Sequence, residues 1–287
     1  MDRNAIILAA GTSSRFVPLS AEIPKGLLEV KGEVLIERQI RQLKEAGIDD
    51  IVIVTGYKKE KFDYLRDSFD VDLVYNEDYS IYNNTSSMIR VLDRLGNSYI
   101  CSSDNYFQKN VFLGNPKESY YSSLFAEGPT DEYCLTTDNN DNIIGVTVGG
   151  RDSWYMIGNV YFSEDFSKKF RKILETEYDK EEIRHGYWED VYIRHLDKLP
   201  LMKISRFPES CIKEFDSIDE LRRFDETYVE NTRSAVVRAI AFRLDCKEGD
   251  LSDFCNVSHD GDFLNFSFLM GGRRYVFNEI DGSILAL

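Results

Sequence analysis

Over its amino-terminal third the chain alternates short, unbroken apolar runs with segments of helical spacing, and this order restricts its fold more than any other feature. Ala5 to Leu8 and Ile51 to Val54 are apolar without interruption, and residues 71–75 and 99–104 continue the series. Runs of that kind fit strands buried on both faces of a parallel sheet. Residues 34–43 carry apolar side chains at helical spacing and lead to Gly47, a helix C-cap signal, while 59–69 and 86–95 read as further helices. The resulting βαβαβ order predicts an α/β protein with a doubly wound, mostly parallel, Rossmann-like sheet and ligands at the carboxyl ends of its strands. No internal repeat interrupts it.

The first run, closed by Leu8, ends in a loop suited to anions. Ala9, Ala10 and Gly11 have almost no side chain, so a ligand can approach the backbone, and Gly11 permits a left-handed turn. Thr12, Ser13 and Ser14 set hydroxyls beside backbone amides, a nest for phosphate oxygens. Arg15 adds a planar fork of donors, and Lys25, after Pro24, a compact charge. An ordinary strand-to-helix turn with two solvated cations has the same composition, and the window holds neither a P-loop nor a GxGxxG. Asp104 closes the fourth apolar run, where a carboxylate either holds Mg²⁺ against nucleotide phosphates or caps a turn with Asn105.

Charge and cysteine usage exclude several classes. Fifty acidic against 35 basic residues, a net charge of −15, argue against a nucleic-acid partner. The chain has no apolar run of membrane-spanning length and enters its first strand without a signal-peptide pattern, so no membrane partner and a cytoplasmic location are expected. Cys101, Cys134, Cys211, Cys246 and Cys255 are scattered, with no CxxC, and read as structural thiols. A length of 287 residues accommodates one α/β domain, placed at 1–226, and a small appendage at 227–287.

Leu8-Ala9-Ala10-Gly11-Thr12-Ser13-Ser14-Arg15 followed by Pro24-Lys25 resembles the nucleotidyltransferase signature L-A-A-G-x-G-[ST]-R-(x)n-P-K, with Ser13 in place of the second glycine. Gly56-Tyr57, Tyr75-Asn76, Tyr82-Asn83-Asn84, Ser103-Asp104-Asn105-Tyr106, Tyr187-Trp188-Glu189-Asp190 and Glu214-Phe215-Asp216-Ser217 follow in an order that resembles the bacterial phosphocholine cytidylyltransferases. The resemblance spans most of residues 4–226 and implies a GT-A-like fold, CTP and a small phosphorylated amine as substrates, and Mg²⁺ as cofactor. It further implies that residues 8–13, Gly56, Asn83, Asn84 and Ser103 bind the nucleotide, that Arg15 and Lys25 are the catalytic cations, and that Asp104 holds the metal. Glu189 takes the place of the family's second acid, with Asp190 its rival.

Tyr133, Trp154, Tyr187 and Trp188 are candidates for an aromatic cage around an ammonium group, although any one of them fits core packing as well. Glu214 and Asp216 read as caps of a helix over 218–224, whose Ser217-x-x-Glu220 spacing is a capping box. Phosphocholine is the first acceptor implied. Aminoalkylphosphonates, phosphoethanolamine, a phosphorylated amino-acid amide and sugar 1-phosphates are alternatives, as is a non-catalytic nucleotide-binding regulator.

From about residue 225 the pattern changes to helical spacing over 232–244 and then two apolar runs turning at Gly271-Gly272, a hairpin. This small α+β appendage resembles the opening strands of choline-kinase-like proteins, without an ATP-site lysine or catalytic loop. Phe266, Phe268, Tyr275 and Phe277 call for a covering surface, which a homodimer through this segment would supply.

Overall fold

The structure, a computed structural model, describes residues 3–260 and 263–287, with the side chains of 258–260, 263 and 264 left out of the description. The expected hairpin residues Phe263 and Leu264 are therefore described by backbone alone. Contacts gather the chain into two compact units, one running to Gly11 and again over Leu35–Glu214, the other formed by Thr12–Val34 with Phe215–Leu287. The expected division at 226/227 is a cut along the sequence; this grouping joins the loop segment to the appendage.

In the first unit the strand Arg3–Ala9 lies between Asn97–Ser102 and Asp50–Thr55, parallel to both, and Asp72–Tyr75 adds a further parallel strand. Beyond Asn97–Ser102 the sheet continues through an antiparallel ribbon of Ile143–Phe162 and Tyr120–Thr137 and ends on Lys203–Arg206, making seven strands. Ala5, Ile6 and Ile7 are 0% exposed, as the unbroken apolar run requires of a strand covered on both faces. The helices Glu164–Glu177 and Trp188–Arg194 bring Phe166, Phe170, Trp188 and Tyr192 into one core with Ile6, Val52, Val54 and Ile100. Each of these large side chains contributes roughly 1.5–3 kcal/mol by leaving water.

Two expected helices are shorter than their patterns. Residues 59–69 divide into a 3₁₀ turn Lys59–Phe62 and a helix Tyr64–Phe69, and 86–95 into a helix Thr85–Ile89 and a turn Leu92–Arg94. The strand expected to end at Asp104 stops at Ser102. There Gln39 Nε2 donates to the carbonyls of Ser102 and Asn105, at 2.7 and 3.1 Å, while Asn105 Nδ2 donates to the Ile157 carbonyl at 2.7 Å. These bonds turn the chain and leave Asp104 in the turn itself.

The second unit holds the helices Ile218–Phe224, Thr227–Glu230 and Ala235–Arg243 and a four-stranded antiparallel sheet of Leu251–Asp260, Phe263–Met270, Arg273–Asn278 and Ile284–Ala286. The hairpin turns at Gly271-Gly272 as expected, with φ of 57° and 77° at the two glycines, a geometry that side chains disfavour. Phe266 and Phe268 are 0% exposed and pack with Phe254 and Phe277, and Tyr275 stacks on Phe268 at 5.6 Å. The unit covers its own aromatic face, so these side chains do not call for a second copy.

Asp225 ties two parts of this unit together. Its carboxylate accepts from Lys31 N at 2.7 Å and from Thr227 N and Oγ1 at 3.2 and 2.7 Å. Burial alone would push this carboxyl up; the hydrogen bonds and Arg233 outweigh it and hold the group below the usual range. A depressed folded-state value stabilises the protein above the unfolded value of about 3.9, and that stability is lost as pH falls through the folded one. Asp225→Asn is expected to lower Tm at pH 7 and to flatten the Tm-versus-pH profile below about pH 4. An acid limb as steep as the wild type's would contradict this.

Candidate active site

The carboxyl end of the first strand is built from small residues at close quarters. Ala9 and Ala10 are buried, Leu8 is half-buried, and Gly11 and Thr12 are exposed. Tyr57 N donates to the Ala10 carbonyl at 3.0 Å. A Cβ on Gly56 would lie 2.7 Å from that carbonyl oxygen and 2.6 Å from Tyr79 Cβ. Gly56 is thus required where two strand ends approach. Gly56→Ala is expected to destabilise the protein by about 1–3 kcal/mol, measured as a lower Tm, because backbone and ring must both shift.

Gly11 does not use its freedom. The left-handed residue of the loop is Ser13, at φ 50°, with Phe16 N closing the turn on the Ser13 carbonyl at 2.9 Å. The left-handed turn that Gly11 would permit is made two residues on, so the departure from the family signature falls where the backbone most favours glycine.

In the second unit Pro24 precedes a 3₁₀ turn, Lys25–Leu27, whose lysine is only 6% exposed. Lys25 Nζ lies 3.4 Å from Asp216 Oδ1 and 6.0 Å from the centroid of the Phe16 ring. Arg15, with an exposed side chain, reaches the same carboxylate oxygen at 3.5 Å. Asp216 was expected to cap a helix. Ser217 Oγ does accept from Glu220 N at 3.2 Å, but the returning bond runs from Asp216 N to Glu220 Oε2 at 2.8 Å. The Asp216 side chain is turned to the two cations instead. Its place in the Glu214–Ser217 motif was the available signal; the pairing itself joins residues 191 apart.

In the first unit Ser103 N donates to the Leu8 carbonyl at 3.1 Å, so the turn bearing half-buried Asp104 lies beside the end of the first strand. A second acidic group forms at the start of the helix Trp188–Arg194. Asn84 Oδ1 accepts from Trp188 N at 2.8 Å, and its Nδ2 donates to Glu189 Oε2 at 3.3 Å. Asn83 Nδ2 donates to the His185 carbonyl at 3.0 Å, and Tyr121, which sequence reasoning missed, donates to Glu189 Oε1 at 3.2 Å. Asn83 and Asn84 thereby hold the 185–189 turn.

Burial pushes the Glu189 carboxyl up to about 7, against the lowering effect of hydrogen bonds that include those from Asn84 and Tyr121. Asp190 is differently engaged: Oδ2 accepts from Tyr187 N at 2.8 Å and Oδ1 from Tyr133 OH at 3.1 Å. Among the described residues no three His, Cys, Asp or Glu side chains gather into a complete cation site. Mg²⁺ bound with a nucleotide commonly takes one or two carboxylates and draws its other oxygens from phosphate and water. A half-buried carboxylate destabilised in its charged form, as Glu189 is, fits that demand.

The four aromatic candidates separate. Trp188 is 2% exposed, stacked on Tyr121 at 6.0 Å with Phe162 and Phe170 against its edges, and belongs to the core. Trp154 packs with Phe125 and lies 5.5 Å from the Arg206 guanidinium. Tyr133 and Tyr187 stay together through Asp190, and Tyr187 is exposed.

A parallel sheet with a small-residue turn at the end of its first strand and an acid at the end of its neighbour is the framework of a nucleotidyltransferase. Residues 5–107 match the model of MobA-like NTP transferase domains. The chain is 34% identical to choline-phosphate cytidylyltransferase of Streptococcus pneumoniae over 222 residues, 77% of this chain and 96% of that protein. It is 35% identical to 2-aminoethylphosphonate cytidylyltransferase of Lancefieldella rimae over 80% of this chain and 95% of that one. The solved structure of CTP:phosphocholine cytidylyltransferase from S. pneumoniae matches with a TM-score of 0.76 at 33% identity, covering 79% of this chain and 99% of that one. The chain belongs to this family of bacterial cytidylyltransferases.

Proposed function

We propose that the protein transfers CMP from CTP to a phosphorylated amine alcohol, phosphocholine first, in the cytoplasm. An acceptor phosphate oxygen attacks the α-phosphorus, the bond to the bridging oxygen breaks, and pyrophosphate leaves with the electron pair. No protein nucleophile takes part; positioning and neutralisation of charge do the work. The observation that carries this reading is Lys25, an amine held in a buried turn just beyond the phosphate-type loop of a family member. Lys25 binds and neutralises phosphate oxygens, and Arg15, exposed at the surface beside Asp216, adds a second cation for the triphosphate. The residues suited to Mg²⁺ are Asp104 and Glu189; the ion would neutralise developing charge on the phosphates. Tyr133 and Tyr187, both hydrogen-bonded to Asp190, combine the aromatic and anionic residue types that an ammonium group favours.

The relative from L. rimae supports 2-aminoethylphosphonate as a second acceptor. Pyrophosphate release from CTP with phosphocholine, phosphoethanolamine, 2-aminoethylphosphonate and glucose 1-phosphate decides between them. The highest kcat/KM is expected with phosphocholine. A tenfold preference for the phosphonate would establish the second reading, and no release with any acceptor would overturn both.

A further inference from the structure

We propose that the carboxyl-terminal appendage is a positioning element for Lys25, holding the segment that carries it from both sides; the functional meaning of that placement rests on the cytidylyl-transfer reading. Glu22 ends the short helix Leu19–Glu22, just before Lys25 in the chain. Its carboxylate reaches a segment 213 residues away: Oε2 accepts from Ala235 N at 2.8 Å, and Oε1 accepts from Val236 N at 3.3 Å and from the Ser234 hydroxyl. The first amides of a helix have no partner within it, and its positive end favours an anion. Glu22 supplies both to the helix Ala235–Arg243, while Ser234 Oγ takes Val237 N at 3.0 Å. The loop segment thus completes the cap of an appendage helix.

The second anchor lies past Lys25. Tyr228 OH donates to the Glu29 carbonyl at 2.6 Å, and Arg233 Nη2 donates to Glu29 Oε1 at 3.1 Å. Lys31 N donates to Asp225 Oδ2 at 2.7 Å. Tyr228 is 1% exposed, with the Arg233 guanidinium 4.1 Å from its ring, so its hydroxyl bond to the Glu29 carbonyl is partly buried, while the Arg233–Glu29 pair lies at the surface. Lys25 therefore sits in a short stretch fastened at residues 22 and 29–31. A misplacement of about 1 Å in a transfer reaction costs roughly 10²-fold in rate, and fixing the backbone on both sides of Lys25 limits that loss. Glu22, Tyr228 and Asp225 touch no reacting atom; they act through Lys25.

The test uses the full chain and two variants. Glu22→Ala removes the cap acceptor, and Tyr228→Phe removes one hydroxyl while keeping the buried ring, so the second carries the test if the first fails to fold. Amide hydrogen exchange is followed by mass spectrometry over peptides spanning 19–31, beside kcat and KM for CTP and phosphocholine. Exchange over 19–31 is expected to rise in both variants while strands 3–9 and 50–55 keep wild-type protection. The kcat of Glu22→Ala should fall by about tenfold or more, with KM changed less, and Glu22→Gln, which retains one acceptor oxygen, should recover part of it. Unchanged exchange over 19–31, or faster exchange with wild-type kcat, overturns the proposal. A wild-type protein that releases no pyrophosphate would sink the cytidylyl-transfer reading instead, and the exchange measurement would then decide by itself whether the appendage holds this segment.

Discussion

Lys25→Met is expected to reduce kcat for pyrophosphate release by about 10²–10³-fold, the usual loss when one preorganised group facing transition-state charge is removed. Methionine keeps the length and apolar stem of the side chain, so the buried turn Lys25–Leu27 retains its packing. What is lost is the ammonium group. Its ion pair with Asp216, 3.4 Å away, ends on a carboxylate that is 40% exposed, and such pairs contribute no more than about 1 kcal/mol. Thermal unfolding should accordingly shift by only a few degrees. Lys25→Arg should rescue poorly, because a planar guanidinium does not fit a slot built around a compact ammonium. A kcat within tenfold of wild type for Lys25→Met would remove Lys25 from the reaction.

Glu189→Gln is expected to separate activity from stability. The amide has nearly the same shape but no charge for a hard cation, so turnover should fall by about 10²-fold or more with a raised Mg²⁺ requirement. Metal-free stability should move the other way. An acid raised to about 7 in the folded protein and near 4.3 unfolded binds its proton more tightly when folded. Its contribution to stability is therefore lost as pH climbs through that window and stays lost above it. At pH 8 without metal, the variant should unfold at a higher temperature than wild type, with the difference vanishing near pH 4. A variant less stable at pH 8 would show that the charged carboxylate is held favourably by Asn84 and Tyr121 alone.

Local pattern carried the parallel strands because their apolar runs depend only on being covered from both sides, as Ile6 and Val52 are. It carried the Gly271-Gly272 turn because a two-residue hairpin loop needs positive φ at adjacent positions. The long ribbon Tyr120–Thr137 with Ile143–Phe162 was not legible: its register shifts at several bulges, and each shift breaks the alternation by which a strand is recognised. Trp188 misled for a related reason. Acids flank it in the chain, but the helix turns its ring into the core while Glu189, one residue on, meets Asn84 and Tyr121.

What the sequence determined by itself is a phosphate-type loop and the parallel strands around it, since small residues, an Arg, a Pro-Lys pair and an acid at the end of a buried strand are local requirements of phosphate chemistry; the reaction class came with the family that those motifs resemble. Tertiary structure alone decided which groups those residues face. Asp216 joins Arg15 and Lys25, and Glu22 caps a helix 213 residues away, because charges and unpaired amides are satisfied by whatever the fold brings within hydrogen-bonding distance. Separation along the chain leaves no mark of such pairings in the local pattern.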